Sequence, residues 1–396
     1  MRKISRFLPF LAVAAMMMTS CGGSGNDTPV DPGTDDPSTI YKDKSGYEID
    51  TSKFEADKSL TVYGGCEEPY LKAITSAFAK KFNVTCNYIR LSSGEIETKI
   101  KAENGTPSAD VLFGGTTDPY NALKNANLLE AYEAQRGSHI KESYFKDPDH
   151  CWYGIYKGIL GFMYNKNRLA ELNVSAPKDW DDLIKPQYKG LVTWSNPDTA
   201  GTAKLVINTM VQQKAAGKKT TYKDAENKDV ECYDSTNAMA YFKALDGNTV
   251  EYTKSGSGAS KQVGKGECVV GIGFLHDVLM QINDNGYNNI GIVAPTSGTA
   301  FEVGATAILK GAKHPYLAKA FEEFALSPEC VELGASNGSY QFLVLDDAKQ
   351  PQVALDAGLA EIKTMDYDFD DAKVNTGHYV EEFKKNVNSD DRFKTK

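Results

Sequence analysis

Short apolar stretches alternate with amphipathic stretches along most of this chain, starting at Leu60. The apolar stretches have the length of β-strands, and the amphipathic ones place their apolar residues at helical spacing. Such alternation is typical of a mostly parallel sheet with helices on its faces. In the first half, strands are predicted at residues 60–64, 84–91 and 109–113, and helices at residues 68–82, 94–102 and 119–126.

A long apolar stretch with several glycines, residues 152–164, separates this first run from a second α/β run. We predict that it is a strand that crosses from one lobe to another. In the second run, residues 178–184 are predicted to be helical and the lysine-rich residues 217–230 to form a solvated surface loop. The sequence therefore predicts an α/β protein of two lobes, each a mostly parallel sheet flanked by helices. The predicted boundaries are residues 58–162 plus 299–340 for lobe 1, 163–298 for lobe 2, and 341–396 for a C-terminal helical segment that packs on the lobes.

The first 20 residues have the layout of a secretory signal peptide. Three basic residues precede an apolar run at residues 7–18, and two small residues then lead to Cys21. The run is shorter than the roughly 20 residues that a membrane-spanning helix needs. We therefore predict a signal peptide at residues 1–20 and lipidation at Cys21, with a plain secreted protein or a buried structural cysteine as the alternative. Residues 21–57 are predicted to form a lipidated, disordered, acidic tether.

The composition narrows the function classes. The formal net charge is −9, and an acidic surface argues against nucleic acids and anionic membrane surfaces as partners. Six cysteines follow Cys21 at scattered positions without a CxxC pair, so neither a zinc ribbon nor a thioredoxin-type site is predicted. We expect these thiols to be mostly free and buried, and we predict neither a metal nor a cofactor.

Several predicted strands end in loops rich in glycine and hydroxyl residues, and these loops open directly into helices. Because a helix N-terminus has free backbone N–H groups and a partial positive charge, such a loop suits an anion. The same residues also cap their own helices, which is the alternative for any single loop. Four such loops, two in each lobe, are predicted to converge on one crevice at the carboxyl ends of the strands. The candidate ligand-binding residues in these loops are Ser92, Ser93, Gly94, Thr116, Thr117, Thr199, Ser255, Gly256 and Ser257.

Six sequence blocks between residues 60 and 338 occur in the order found in one known family. The blocks are LTVYGG, SSGEIETKIKAENGTPSADVLFGG, WYGIYKGILGFMYNK, PKDWDDLIKPQYKG, YTKSGSGASKQVGKGECVVGIGFLHD and FEVGATAILKGAKHP. In these blocks the chain resembles the type II periplasmic binding proteins of the ferric, phosphonate and hexose-phosphate group. The resemblance implies a Venus-flytrap fold, in which two lobes joined by two crossing strands close on a solute and present it to a permease.

Three further residues look like the histidine, aspartate and glutamate of the hexose-phosphate binders in this group. They are His276 and Asp277, which end the sequence FLHD, and the later Glu302. The two carboxylates would accept hydrogen bonds from sugar hydroxyls or from an amine. His276 would donate to either part of the solute, with capping of its own helix as the alternative. Arg90, at the end of the second strand, is an additional candidate for the anion unless it pairs with Glu95.

The sequence thus predicts a binding protein and no enzyme. The leading hypothesis is the substrate-binding lipoprotein of an ABC importer, which captures a small phosphorylated organic anion and has the permease and ATPase subunits as partners. A sugar phosphate ranks ahead of 2-aminoethylphosphonate as the solute. We expect a monomer that is held in the cell envelope by its lipid on the periplasmic face, with surface exposure as the alternative.

Two other functions stay open at this point. An Fe(III)-binding protein is the first alternative, although the adjacent tyrosine pair of the iron binders is missing from this sequence. A secreted hydrolase that uses Ser336 or His276 is the remote alternative. Ser336 lies in a G-x-S-x-G pattern, but a nucleophile elbow requires a strand before the serine, and here a helix is predicted to precede it.

Overall fold

The computed structural model describes residues 39–387, so the predicted signal peptide and Cys21 lie outside the described residues. The described part begins with a hairpin of β1 (Ile40–Lys42) and β2 (Glu48–Asp50). The sequence predicts a disordered tether as far as residue 57, but this hairpin is ordered. Its Tyr47 is fully buried in the core of lobe 1, and its Asp43 forms a 2.6 Å ion pair with Lys81. One buried aromatic ring and one ion pair therefore fix a segment whose composition suggests disorder.

The next elements form the sheet of lobe 1. They are β3 (Ser59–Gly64), α1 (Glu68–Phe82), β4 (Thr85–Arg90), α2 (Ser93–Glu103), β5 (Val111–Phe113), α3 (Thr117–Asn125) and β6 (Leu129–Glu130). β3 pairs in parallel with both β4 and β5. Leu71, Ile74 and Phe78 on one face of α1 are fully buried against this sheet. The helical spacing of these residues is the reason that α1 packs as the sequence predicts.

A second run of elements follows. They are β7 (Tyr153–Asn165), α4 (Lys166–Leu172), β8 (Val192–Ser195), α5 (Gly201–Ala215), β9 (Lys219–Lys223), β10 (Asp229–Tyr233), α6 (Thr236–Asn248), β11 (Thr249–Thr253), α7 (Gly258–Lys265), β12 (Val270–Phe274), α8 (Leu275–Asn283) and β13 (Ile290–Val293). β8 pairs in parallel with both β11 and β12. Their core contains Trp180, Trp194 and Phe242, which are separate from the residues around α1. This run is lobe 2.

Two predictions for lobe 2 were wrong in detail. Residues 217–230 are not a loop, because β9 and β10 form an antiparallel hairpin there. Thr220 and Thr221 pair with Cys232 and Glu231 in its register, and β-branched residues favour such pairing. The helix predicted at residues 178–184 is only a single 3₁₀ turn, Trp180–Asp182, with Asp179 as its cap.

The chain then finishes with β14 (Phe301–Leu309), α9 (Pro315–Ala325), α10 (Pro328–Val331), β15 (Phe342–Leu343), α11 (Gln352–Asp356) and α12 (Phe369–Val387). β14 and β15 both pair with β7. α12 packs against α5 and α6 of lobe 2 and also contacts α3 of lobe 1. The C-terminal part of the chain therefore contributes a strand as well as helices, and it touches both lobes.

β7 connects the two sheets. Its residues up to Ile159 pair with β14, and its residues from Leu160 onward pair with β12. The strand order along the sheet is β11-β8-β12-β7-β14-β5-β3-β4, with β13 and β15 also on β7 and β6 on β14. The predicted crossing strand and the mixed α/β class are thus confirmed. The residue limits predicted for each lobe stay a prediction.

Two properties of residues 39–387 bear on the sequence predictions. None of the helices in this range has the length and apolar character needed to cross a bilayer. The six cysteines in this range are free thiols, and four of them are buried.

The first prediction concerns the attachment of α12 to lobe 2. Phe383 is fully buried and contacts the rings of Trp194 and Phe242 at centroid distances of 5.6 and 5.2 Å. We expect Phe383→Ala to lower the free energy of unfolding by about 3–5 kcal/mol, because it leaves a cavity among packed rings. Urea unfolding followed by circular dichroism measures this. The control is Val374→Ala on the exposed face of α12, and equal stabilities of the two variants would contradict the packing of α12.

Candidate functional site

A small cavity of about 60 Å³ lies between the lobes. The loops after β4, β5, β8 and β11 border it, and each loop leads directly into a helix. Four helix N-termini, those of α2, α3, α5 and α7, therefore surround the cavity. The first backbone N–H groups of a helix have no partner within the helix, so they can donate to an anion. Some of them have other partners here, since the Gly94 N–H of α2 donates to the Thr199 carbonyl and the Gly258 N–H of α7 donates to the Ser255 carbonyl. The residues of these loops and helix starts that line the cavity are Ser92, Ser93, Gly115, Thr116, Ala200, Gly201, Thr202, Gly256 and Ser257.

Four residues predicted outside the loops also line this cavity, namely Arg90, His276, Asp277 and Glu302. Asp277 and His276 lie in the first turn of α8, and Glu302 lies near the start of β14. Residues of both lobes therefore form the walls of the cavity.

Four predicted residues do not line the cavity. Gly94 and Thr199 contact each other instead, since the Gly94 N–H donates to the Thr199 carbonyl at 3.3 Å across the lobes. Thr117 lies one residue beyond the cavity and lines a larger cavity next to it. The backbone carbonyl of Ser255 accepts a 2.9 Å hydrogen bond from the Thr253 hydroxyl, and this bond shapes the loop. These residues position the site without facing it.

Sequence reasoning missed several lining residues. Tyr156 lies on β7, and its phenolic oxygen accepts a 2.8 Å hydrogen bond from the Gly115 N–H. Gln341 comes from the chain just before β15, and Glu67 from the loop after β3. The pair of glycines that ends LTVYGG marks the β3 loop in the sequence. No sequence signal identifies Tyr156 or Gln341, because their positions depend on the pairing of β7 with β14 and β15.

Two glycines allow neighbouring chain segments to approach closely around the cavity. A Cβ atom at Gly201 would lie 2.0 Å from the Thr116 hydroxyl oxygen, so only glycine lets the start of α5 meet the α3 loop. Gly158 on β7 is the pairing partner of Glu302. A Cβ atom at Gly158 would lie 2.6 Å from the His276 ring. Side chains at these positions would displace the walls of the cavity.

The hydroxyl groups of the loops have different partners. The Ser92 hydroxyl donates to Glu95 at 2.7 Å and caps α2, which is the alternative use that the sequence left open. The Ser93 hydroxyl accepts a 3.2 Å hydrogen bond from the Thr116 N–H. The Ser257 hydroxyl is buried and has no hydrogen-bond partner among the described residues. The Ser257 hydroxyl is therefore free for a ligand.

Three buried polar atoms on the cavity wall lack a partner in the described part of the chain. They are the Ser257 hydroxyl oxygen, His276 Nδ1 and Glu302 Oε2. Buried polar groups in folded proteins are nearly always hydrogen-bonded, and each unpaired one costs about 1–3 kcal/mol. Three such atoms around one cavity indicate a polar ligand that completes their hydrogen bonds.

Burial controls the ionisation of the three titratable side chains on the wall. It lowers the pKa of His276 to about 3, so this imidazole is neutral at pH 7. Burial and then the nearby Glu67 charge raise the pKa of Asp277 to about 8, against the opposing charges of Lys261 and Arg90. Burial also raises the pKa of Glu302 well above its usual range, and the Asp277 and Asp118 charges add to this effect. The His276 and Asp277 side chains are 3.6 Å apart, too far for a hydrogen bond.

Three ion pairs join the two lobes around the cavity, each between a lysine of lobe 2 and a glutamate of lobe 1. Lys254 lies 2.6 Å from Glu95, Lys204 lies 3.2 Å from Glu97, and Lys261 lies 3.4 Å from Glu67. Together with the hydrogen bond between Gly94 and Thr199, they hold the lobes against each other. The structure is a closed form of the cleft.

One group of side chains within residues 39–387 has the spacing of a metal site, namely His139, Asp346 and Asp347. It lies apart from the residues that line the cleft. Lys141 and Arg136 already form ion pairs with the two aspartates, at 2.9 and 2.6 Å. This group is a surface ion-pair network, and nothing in its geometry calls for a cation.

Comparison with known proteins identifies the relatives of this chain. The sequence pattern of the family described as "Bacterial extracellular solute-binding protein" matches residues 106–369. An uncharacterized protein of Haemophilus influenzae is 35% identical over 317 residues, which cover 78% of this chain and 85% of the relative. A Salmonella typhi protein, named as a candidate 2-aminoethylphosphonate-binding periplasmic protein, is 26% identical over 309 residues, covering 76% and 82% of the two chains.

A solved structure shares both sequence and fold with this chain. It is the periplasmic binding protein AfuA of Actinobacillus pleuropneumoniae with exogenous fructose-6-phosphate bound. The sequences are 33% identical and the TM-score is 0.74, and the match covers 83% of this chain and 99% of AfuA. Because this likeness extends over most of both chains, it confirms the predicted two-lobed fold.

The buried carboxyl groups predict a dependence of stability on pH. The native state keeps the Asp277 proton up to about pH 8, whereas an unfolded aspartate loses it near its ordinary pKa of 3.8. Between these values the native state binds more protons, so raising the pH favours unfolding. His276 has the opposite effect, but only below its ordinary pKa of 6.5. From about pH 6.5 to pH 8 we expect the free energy of unfolding to fall by about 1–2 kcal/mol because of Asp277.

Urea unfolding at several pH values tests this, with Asp277→Asn as the diagnostic variant. This variant should lose about 1–2 kcal/mol of the decrease between about pH 6.5 and pH 8, because it removes one buried proton-binding group. The buried carboxyl groups of Glu302 and Glu322, whose pKa values are also raised, keep the rest. Asp356→Asn, at an exposed position on α11, is the matched control. The same slope in Asp277→Asn and wild type would show that Asp277 is not buried in its neutral form.

Proposed function

The chain belongs to the bacterial extracellular solute-binding proteins, and from this premise we propose that its solute is a small phosphorylated organic anion, with a sugar phosphate ahead of a phosphonate. As a solute-binding protein of an ABC importer, it captures its solute between the lobes and delivers it to the permease. The observation that carries the proposal is the set of three unpaired buried atoms on a cavity bordered by four helix N-termini. AfuA, which has fructose-6-phosphate bound, supports the choice of a sugar phosphate.

The phosphate group fits the part of the cavity formed by the loops. Backbone N–H groups at the starts of α2, α3, α5 and α7 supply donors there, and the Ser257 hydroxyl adds another. Arg90 lines the same region, and its Nε donates to the Cys66 carbonyl at 3.3 Å. Phosphate oxygens accept several such bonds at once, and hydrogen bonds to a charged group are stronger than neutral ones.

The organic part of the solute fits the opposite wall. His276, Asp277 and Glu302 lie there; burial lowers the pKa of His276 to about 3 and raises the pKa of both carboxyl groups, so it favours the neutral form of all three side chains. A protonated carboxyl both donates and accepts, and so does a neutral imidazole through its two nitrogens. This matches sugar hydroxyls, which also donate and accept. The wall therefore presents mixed hydrogen-bonding groups to a polyol without placing a full negative charge beside the phosphate.

The alternative functions find less support. Tyr156 is the one tyrosine among the described residues that line the cavity, and its oxygen is already hydrogen-bonded to Gly115. An Fe(III) site built from tyrosine oxygens therefore lacks its ligands. Ser336 lies on the 3₁₀ helix Glu332–Asn337, directly after α10 and away from the cavity wall. We infer that the protein binds its solute and does not cleave it.

The anchoring of the protein is inferred from the sequence alone. The signal layout before Cys21 supports cleavage and lipidation at this residue. The lipid would then hold the folded part at the periplasmic face of the cell envelope. We also expect the protein to be a monomer. The permease and ATPase subunits of an ABC importer are then its protein partners.

The ligand proposal is tested by titration calorimetry and thermal unfolding of the purified protein. Glucose 6-phosphate should raise the melting temperature in a concentration-dependent way, as a ligand of the native state does. We expect Ser257→Ala to weaken binding roughly 10–100-fold, since it removes a hydrogen bond to a charged group. Ser255→Ala in the same loop is the control and should keep the affinity within about twofold, because Ser255 does not line the cavity.

A panel of solutes distinguishes between sugar phosphates, phosphonates and iron as the ligand. Glucose 6-phosphate, fructose 6-phosphate, 2-aminoethylphosphonate and Fe(III) citrate should be compared under the same conditions. The absence of any shift with the sugar phosphates and the phosphonate would reject the proposal. A visible phenolate absorption band with iron would favour the ferric alternative instead.

The lipid proposal is tested in cells labelled with a clickable palmitate analogue. The wild-type protein should be labelled and found in the membrane fraction, whereas Cys21→Ser should lose the label and become soluble. Cys151→Ser, which changes a cysteine of the folded part, is the control and should behave as the wild type. Labelling of the Cys21→Ser variant would contradict the assignment.

A further inference from the structure

A second and larger cavity lies beside the cleft. It has a volume of about 630 Å³, and Thr116 and Glu302 line both cavities. We call it the rear chamber. One wall belongs to lobe 1 and consists of α3, residues 143–152 and the start of β14. The opposite wall consists of Leu205 and Tyr233 of lobe 2 together with residues 366–373. A molecule in the rear chamber would therefore touch both lobes, as the solute in the cleft does.

Aromatic rings form much of the rear chamber. Tyr144 lies parallel on Phe369, with ring centroids 5.2 Å apart and an interplanar angle of 8°. Phe301 packs against both rings, at 6.1 and 5.3 Å. Tyr144 is 41% exposed although it is stacked on one side, so it offers ring surface to the chamber. Flat apolar surfaces of this kind pack against the C–H faces of sugar rings.

Carboxyl groups are the commonest ionisable groups of the rear chamber. Five carboxyl groups line it, those of Asp118, Glu302, Asp366, Asp368 and Asp370. Of its two lysines, Lys146 donates to the carbonyls of Gly137 and Ile140, at 3.0 Å each, so its charge is already engaged. An anion is therefore disfavoured in this chamber, whereas the hydroxyl groups of an uncharged sugar find acceptors.

Glu302 links the chamber to the cleft. Only 7% of this residue is exposed, and its Oε2 has no hydrogen-bond partner among the described residues. It lies on the boundary that both cavities share with Thr116. A solute whose phosphate is held by the loops can reach this carboxyl with its first ring and continue past it.

We propose that the rear chamber binds a second, uncharged sugar ring, so that the solute is a phosphorylated disaccharide and not only a hexose phosphate. This inference rests on the proposed function, since it assigns the phosphate to the cleft. The chamber has the volume and the mixture of aromatic and polar groups typical of sites for small organic molecules. The cleft then recognises the phosphate, and the rear chamber selects the length of the solute.

Titration calorimetry with trehalose 6-phosphate, glucose 6-phosphate and unphosphorylated trehalose tests this. We expect trehalose 6-phosphate to bind about tenfold more tightly than glucose 6-phosphate, because its second ring stacks on aromatic side chains and donates to carboxyl groups. Trehalose without phosphate should bind far more weakly than either ester. Equal or weaker binding of trehalose 6-phosphate than of glucose 6-phosphate would overturn the inference and leave the proposed function standing.

Variants locate the second ring. Tyr144→Ala should reduce the affinity for trehalose 6-phosphate severalfold, and Ser143→Trp should remove its advantage by filling the chamber from an exposed position. Both variants should bind glucose 6-phosphate as the wild type does. The control is Tyr316→Ala, which changes an equally exposed tyrosine on α9, outside both cavities.

The outcomes distinguish the two levels of the proposal. If Tyr144→Ala and Ser143→Trp keep the full advantage of trehalose 6-phosphate, the ring lies elsewhere and the rear chamber is rejected as its site. If neither ester binds to the wild type, this inference fails, and the proposed function then depends on the results with fructose 6-phosphate and 2-aminoethylphosphonate. If only glucose 6-phosphate binds, the solute is a monosaccharide phosphate.

Discussion

The register of β7 is the constraint on which the rest of the structure depends. Ile159 pairs with Phe301 of β14, and the next residue, Leu160, pairs with Phe274 of β12. Two neighbouring residues thus join the sheets of the two lobes. The same register places Gly158 opposite Glu302 and brings α8, which follows β12, to the cavity. A shift of one residue would turn every side chain of the strand to the other face and remove both walls of the site.

The buried polar residues of the cavity lower the stability of the fold. His276, Asp277 and Glu302 are all at least nine-tenths buried, and one polar atom each of His276 and Glu302 has no hydrogen-bond partner among the described residues. Each unpaired atom costs about 1–3 kcal/mol, and burial raises the pKa of both carboxyl groups because it disfavours their charged forms. We expect apolar residues at these positions to stabilise the fold. Packing therefore does not account for these residues, whereas the proposed role in ligand binding does.

The sequence was sufficient for the features that depend on local pattern. Alternating apolar and amphipathic stretches predicted β3, β4, β5 and the crossing strand β7, and glycine and hydroxyl residues marked the loops that precede α2, α3, α5 and α7. The sequence was insufficient for residues whose position depends on the pairing of strands that are distant along the chain. Tyr156 and Gln341 reach the cavity only through the pairing of β7 with β14 and β15.

The same limit explains the errors of position. The sequence could not tell which of Ser255 and Ser257 faces the cavity, because they lie two residues apart in one loop. It left two uses open for Ser92, and the hydroxyl of this residue proved to cap α2. The hairpin of β9 and β10 was missed because charged residues dominate its composition, while its β-branched residues supply the pairing.

The closed cleft is held by interactions that are individually weak. Lys254 and Lys261 are 63% and 44% exposed in their ion pairs with glutamates of lobe 1, and such exposed pairs contribute about 0–1 kcal/mol each. The three unpaired atoms of the cavity wall cost about 1–3 kcal/mol each, which is more than these exposed ion pairs contribute. We therefore expect stable closure to depend on a ligand that pairs those atoms. The proposed phosphorylated solute would complete these hydrogen bonds only when both lobes contact it, so its binding would favour the closed form.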